Sequence, residues 1–259
     1  MNGKGAAPSA AGVGEPSATT TPAGGVPAVI PAGDVPAGIP AGARELAALI
    51  DSIEAGIDAW AQATTEWLSG QSKPTGTAID KFIRPAVARM LHEPGSRLAG
   101  AGFVAVTGLL GYGRSYIAWW QGEDLERVDA LANFSPSSIS RYVKTEWFKV
   151  PVETGRPHVT GPYIDLLCTD EYVLTFTNPV FSSGTIAGVV GMDVTAQTLE
   201  RAGLASLRSL GPGAVLVNAG GRAIVSASPT VDAGDLVQAA PEAAIYPVGR
   251  QFRIITHTV

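Results

Sequence analysis

From Arg44 the chain carries a stripe of Leu46, Ile50, Ile53, Ile57, Trp60, Thr64 and Trp67 at alternating steps of four and three, a heptad seam on one long helix. Leu49 and Leu68 flank the stripe. Part of it is therefore expected to pack on the chain's own domain, and the helix end to pair across a homodimer. A second helical pattern, Ile79, Phe82, Ile83, Val87, Met90 and Leu91, follows Thr77 as its cap and stops before Pro94-Gly95. Pro85 inside it is expected to kink it. The period then switches to that of strands in "GAGFVAVTG" and "SYIAWWQ", separated by the glycine-rich "LLGYGR".

Ser135-Pro136 starts a third helix over "SSISRYVKTEWF", with Ser as cap and Pro at the first helical position. After a Pro/Gly connection, "TGPYIDLLC", "EYVLTFTNPVF" and "TIAGVVGMDV" follow with "TD" and "SSG" turns between them, an antiparallel meander. Thr195 caps a last helix with Leu199, Leu204, Leu207 and Leu210 facing inward, ended by Gly211-Pro212-Gly213. "AVLVN", "RAIVSAS" and "QFRIITHTV" then read as a second sheet of about three strands. Helices and strands segregated in this way predict an α+β fold rather than the βαβ alternation of a doubly wound one.

Composition sets the outer bounds. Residues 1–42 hold 7 of the 19 prolines and 9 of the 31 glycines, no aromatic residue, and only Lys4, Glu15 and Asp34 as charges. Such a stretch cannot bury a core and is expected to be a disordered tail, with the near-duplicated "VPAVIPAGD" and "VPAGIPAGA" suited to extended chain. The net charge of -5, with 18 Lys and Arg and no basic run, argues against a nucleic-acid partner. No apolar run approaches the length of a membrane span, the N-terminus lacks the order of a secretory leader, and the lone Cys168 cannot form an internal disulfide. The expected location is cytoplasmic. Cys168, His92, His158 and His257 are scattered without catalytic or metal-ligand spacing, so neither an enzyme nor a cofactor is expected.

One feature resists the bland account. "GTIAGVVGMDV" is apolar and rich in glycine and β-branched residues, yet it closes on a carboxylate, Asp193, which needs a partner once buried. The stretch Glu146 to Glu200 around it resembles the Cache sensor domains, PAS-like ligand-binding modules of bacterial chemoreceptors and histidine kinases. The resemblance rests on the aromatic pair Trp147-Phe148, "GPYID", "TFTNPV" and "GVVGMDV" leading into a helix. The long first helix and the short sheet after Gly211 sit where a double Cache domain would have them. The second module looks truncated, and the composition is similar to that of stand-alone Cache proteins of actinobacteria.

In the family's amino-acid sensors an Arg-x-Trp-Tyr motif on the helix end holds the ligand carboxylate, while the Tyr of "PYxD" and the Asp of "GxxGxD" receive the ammonium. By that resemblance Tyr163 and Asp193 keep the ammonium half. Thr145 stands where the Arg would be and Phe148 where the Tyr would be, so the carboxylate half is lost. A pocket of carboxylate and aromatic faces without a guanidinium favours amines, which pair with Asp193 and stack on Trp or Tyr. Blander readings stay open at this point: Asp193 as a helix cap, Asp165 as a strand-end turn residue, Tyr163 and Trp147 as core. Trp119 and Trp120 point to opposite faces of a strand, and Trp120, on the same face as Tyr116, is the one expected at the pocket.

The sequence thus predicts a tail (1–42), a Cache ligand-binding domain (43–210) and a short second sheet module (211–259). The expected activity is capture of an amine or other cationic metabolite by Trp147, Phe148, Tyr163, Asp165, Asp193, Trp120 and Tyr116, signalled through an effector protein. An amino-acid or organic-acid binder and a ligand-free interaction module are the alternatives.

Overall fold

The computed structural model describes residues 38–128, 142–165 and 171–256. The Ser135-Pro136 helix start, Cys168, His257 and nearly all of the Pro-rich tail lie outside them. The heptad stripe forms α1 (Ala41–Ser69). Leu46, Ile50, Ile57 and Leu68 are 0–1% exposed, each such side chain contributing about 2 kcal/mol of apolar burial. Their neighbours in that core are residues of the chain's own sheets, so this part of the stripe packs within the chain. Trp67, at its end, stacks on Phe82 of α2 (Gly76–His92) at 4.5 Å between ring centroids. The cap of α2 is Thr75 rather than Thr77, its side-chain oxygen accepting the Ala78 N–H at 3.2 Å. Pro85 lies within the continuous helix.

A six-stranded antiparallel sheet lies beneath these helices, in the order β3-β2-β1-β6-β5-β4. Its strands are β1 (Leu98–Ala105), β2 (Tyr116–Gln121), β3 (Glu126–Arg127), β4 (His158–Ile164), β5 (Tyr172–Ser182) and β6 (Thr185–Thr195). Ser183 and Gly184 both take positive φ, 50° and 79°, which makes the β5–β6 connection the tight two-residue hairpin that a right-twisted ribbon prefers. One sheet face, carrying Ala101, Phe103, Trp120, Phe176 and Met192, packs on α1 and α2. The other, carrying Val104, Ile117, Trp119 and Val189, packs on Tyr142 and Phe148.

Phe148 belongs to α3 (Glu146–Thr154); the start of the helix expected over "SSISRYVKTEWF" lies outside the described residues. Pro151 sits inside α3, and Gly155 closes it in the left-handed conformation at φ 65°, its N–H bonding the Pro151 carbonyl at 2.9 Å. From β6 the chain enters α4 (Ala196–Leu210), capped by Thr195, whose hydroxyl accepts the Thr198 N–H at 3.1 Å.

The second sheet has four strands rather than three: β7 (Val215–Asn218), β8 (Ala223–Ser226), β9 (Ile245–Val248) and β10 (Phe252–Ile255), in the order β8-β7-β10-β9. The missed strand, β9, is a half-exposed edge containing Pro247, and an edge is where a strand tolerates proline. Leu216, Ile224, Val248 and Ile254 join the core that holds α1. Among the described residues, no helix is long and apolar enough to cross a membrane.

Candidate functional site

Asp193 lies one residue before the last apolar position of β6, and the register decides what surrounds it. Counting back from the Ser183-Gly184 turn pairs Ser182 with Thr185 and Phe181 with Ile186; a bulge at Ala187 then shifts the ladder so that Thr175 faces Asp193. On the far side of β6, Gly100 of β1 faces Asp193, and Gln121 of β2 faces Gly100. On β4, Thr160 faces Thr175. A second bulge, across Gly161-Pro162, puts Tyr163 opposite Val173 and on the same face as Thr160.

The polar groups meet in a line. Thr175 Oγ1 donates to Asp193 Oδ1 at 2.6 Å and lies 2.7 Å from the Tyr163 hydroxyl. With its one proton given to Asp193, Thr175 accepts from Tyr163. Asp193 is 2% exposed and Asp165, at the end of β4, is 4% exposed. Burial, opposed by the Thr175 bond and helped by the nearby charge of Asp165, pushes the Asp193 carboxyl up to about 8. Among the described residues, no lysine or arginine is one of the groups that act on it. Thr195, not Asp193, caps α4, which removes the helix-cap reading of Asp193.

Trp147 and Phe148 cover the same face from α3, with their rings 5.9 Å apart and edge to face. Thr145 is the residue before α3, and Glu146 in its first turn lies 2.8 Å from His158 Nε2. That bond holds the Glu146 carboxyl below the usual range. The start of α3 therefore presents acid where an arginine would serve a carboxylate.

Tyr116 and Trp120 do not join this group. They lie on the opposite face, because alternate β2 residues point to opposite sides and Trp120 pairs with Ala101 of the helical core. Arg127 holds them there, its guanidinium 5.9 Å from the Tyr116 ring and 5.8 Å from the Trp120 ring, with Asp80 of α2 at 3.3 Å. The Tyr116 hydroxyl donates to the Gly76 carbonyl at 2.9 Å. They fasten α2 to the sheet.

The aromatic residue that does share the Asp193 face is Trp119, 5% exposed. Its ring lies over a lane of glycines: a Cβ at Gly102 or Gly191 would come within 2.7 or 2.9 Å of it. Thr175, Thr160, Trp119 and Gln121 were not singled out by the sequence pattern, because their placement depends on the two bulges and on strand register. Among the described residues, no group of three His, Cys, Asp or Glu could hold a metal ion.

Residues 115–201 match the family model for the first PDC sensor domain of methyl-accepting chemotaxis-like proteins. Several solved structures share the fold. The ligand-binding domain of the Pseudomonas aeruginosa PAO1 amino-acid chemoreceptor PctC, in complex with GABA, is 18% identical, over 84% of this chain and 94% of that one, with a TM-score of 0.50. The sensory domain of the Campylobacter jejuni chemoreceptor Tlp3 with isoleucine bound is 15% identical, over 83% of this chain and 88% of that one, with a TM-score of 0.53. The extracellular domain of a candidate histidine kinase, soHK1S-Z6, is 12% identical, over 84% and 89%, with a TM-score of 0.56. No curated protein sequence matches the chain.

The fold is therefore that of the Cache/PAS-like sensor domains. The matched domains are a ligand-binding domain, a sensory domain and an extracellular domain. The cytoplasmic expectation is overturned: domains of this fold are the extracellular parts of kinases and the sensory parts of chemoreceptors.

Proposed function

We propose that this chain is a ligand-binding sensor domain that captures a small amine between the α3 aromatics, Trp147 and Phe148, and the sheet residues Tyr163 and Asp193. Asp193 carries the proposal. A carboxylate this deep, beside the second carboxylate of Asp165 and held by one hydroxyl, has a site for a cation. A protonated amine supplies that charge and stacks on the aromatic faces. The binding unit spans 43–210, with 211–259 as a reduced second module. No catalysis on the ligand and no cofactor are involved, and the signal leaves through an effector protein.

An amino acid is the second reading, favoured by the ligands of PctC and Tlp3. Against it stand Thr145 and Phe148, which replace the Arg and Tyr of the family's carboxylate half, while Glu146 in the first turn of α3 is paired with His158.

A thermal-shift screen of amines and amino acids separates the two. Simple amines should raise the melting temperature of the wild type, lose that effect in Asp193→Asn, and keep part of it in Tyr163→Phe. Equal stabilisation of wild type and Asp193→Asn by amines would sink the proposal, and stabilisation by α-amino acids alone would favour the second reading.

A further inference from the structure

The row across the sheet at Asp193 continues beyond it. Thr160, Thr175, Asp193, Gly100 and Gln121 stand opposite one another on five successive strands, β4, β5, β6, β1 and β2. The adjacent row, Thr177, Gly191, Gly102 and Trp119, and the one after it, Pro179, Val189, Val104 and Ile117, are mostly apolar. The polar groups are thus concentrated in one transverse strip.

The strip has two ends of different character. At the Asp193 end the hydroxyls of Thr175 and Tyr163 are tied to the carboxylate. At the far end, among the described residues, Gln121 Oε1 and Trp119 Nε1 are both buried without a hydrogen-bond partner, as is Thr160 Oγ1 at the near end. A buried indole N–H and a buried amide oxygen without partners each carry an uncompensated desolvation cost, so their coexistence on one patch of the sheet calls for a ligand group. Between the two ends lies Gly100. A Cβ there would sit 2.9 Å from Trp119 Nε1, so the glycine lets the indole N–H edge lie directly against the strand, between Asp193 and Gln121.

Building on the Asp193 reading above, we propose that Trp119 and Gln121 form a second anchor of the site. It takes an uncharged ligand group that both accepts and donates a hydrogen bond, such as a primary carboxamide. The carbonyl oxygen of that group accepts from Trp119 Nε1, and its N–H donates to Gln121 Oε1. A carboxylate fits worse, because it has no proton for Gln121 and meets the charge of Asp165 and Asp193 nearby. Neighbouring strands lie about 4.8 Å apart, so an ammonium at Asp193 and an amide beyond Gly100 are separated by a chain of roughly three to five carbons. The ligand class is an ω-amino amide rather than a plain alkylamine.

Calorimetric titration of the intact chain with butylamine, γ-aminobutyramide and γ-aminobutyrate tests this, with the propyl and pentyl series alongside. The amide should bind about tenfold tighter than the alkylamine, and the carboxylate more weakly than the amide. Gln121→Leu and Trp119→Phe should each abolish the roughly tenfold preference for the amide over the alkylamine, measured within the same variant. Gln121→Glu, which keeps the acceptor and adds a charge, should shift preference toward the diamine putrescine. That gain of binding keeps the test decisive if a truncated variant fails to fold. Equal binding of butylamine and γ-aminobutyramide by the wild type overturns the second anchor and leaves the Asp193 reading intact. Preference for γ-aminobutyrate overturns the second anchor too. Binding of none of these amines overturns both.

Discussion

Asp193 makes the domain's stability depend on pH in the opposite sense to an ordinary paired carboxylate. Its folded-state value is raised to about 8, far above the usual carboxylate range, by burial with a contribution from Asp165. The folded form keeps a proton that the unfolded chain releases from about pH 4 upward. The stabilisation is complete below that value and is lost progressively as pH rises to about 8. Wild type should therefore melt several degrees lower at pH 8.5 than at pH 5.5, and Asp193→Asn should flatten that slope and melt higher than wild type at pH 8.5. Melting curves across this range check it. Amine capture should follow the same proton: below about pH 8 it releases one proton per site, so affinity rises with pH toward that value. From the sequence, Asp193 could be picked out because an apolar strand closes on it, and Tyr163 through the resemblance of "GPYID" to the Cache pattern. Thr175 could not, because hairpin counting pairs it with Met192 and only the bulge at Ala187 brings it to Asp193.

At the level of elements, periodicity located α1, α2, α4 and most strands, since each buries one stripe or one face. It could not decide what the α1 stripe faces. A heptad pattern is equally satisfied by a partner helix and by a sheet, and here the sheet took it. Nor could it choose between Trp119 and Trp120, whose alternation was clear but whose two faces are both apolar. The short α3 was obscured by Pro151, which removes one helical hydrogen bond from a nine-residue helix. The caps can be tested separately from the site. Thr195→Ala removes the oxygen that accepts the Thr198 N–H and should lower stability by about 1 kcal/mol in urea denaturation. Amine affinity should stay unchanged in that variant. A matching loss of binding would mean that the β6–α4 junction, and not the Asp193 carboxylate, shapes the site.

Across the whole molecule, the second sheet is fastened to the first by charges that the sequence scattered over two hundred residues. Arg250, in the turn between β9 and β10, lies 3.6 Å from Glu54 and pairs closely with Asp58, while its backbone N–H donates to Glu54 at 2.9 Å. Asp58 also accepts from the Asn178 side chain of β5 at 2.6 Å. Next in the turn, Gln251 accepts the Val159 N–H at 2.6 Å and reaches His158 at 3.2 Å, and His158 contacts Glu146 at the start of α3. One polar chain thus joins α1, the second sheet, β4 and the helix that covers the site. Glu54 is its costliest member, 5% exposed, with its carboxyl raised by burial despite the arginine beside it. Arg250→Met keeps much of the side-chain volume and removes the cation, leaving Glu54 a buried acid whose remaining partner is a backbone N–H. The expected loss is about 2–3 kcal/mol, below the full cost of breaking a buried pair because Arg250 is partly open to solvent. Glu54→Gln in the same chain should recover part of it, since a neutral amide can still accept the Arg250 N–H without a charge to desolvate. Urea denaturation of the two single variants and the double variant gives the coupling directly. Additive losses in that cycle would show that the turn holds α1 by packing alone, and that the charges contribute nothing to joining the second sheet to the sensor face.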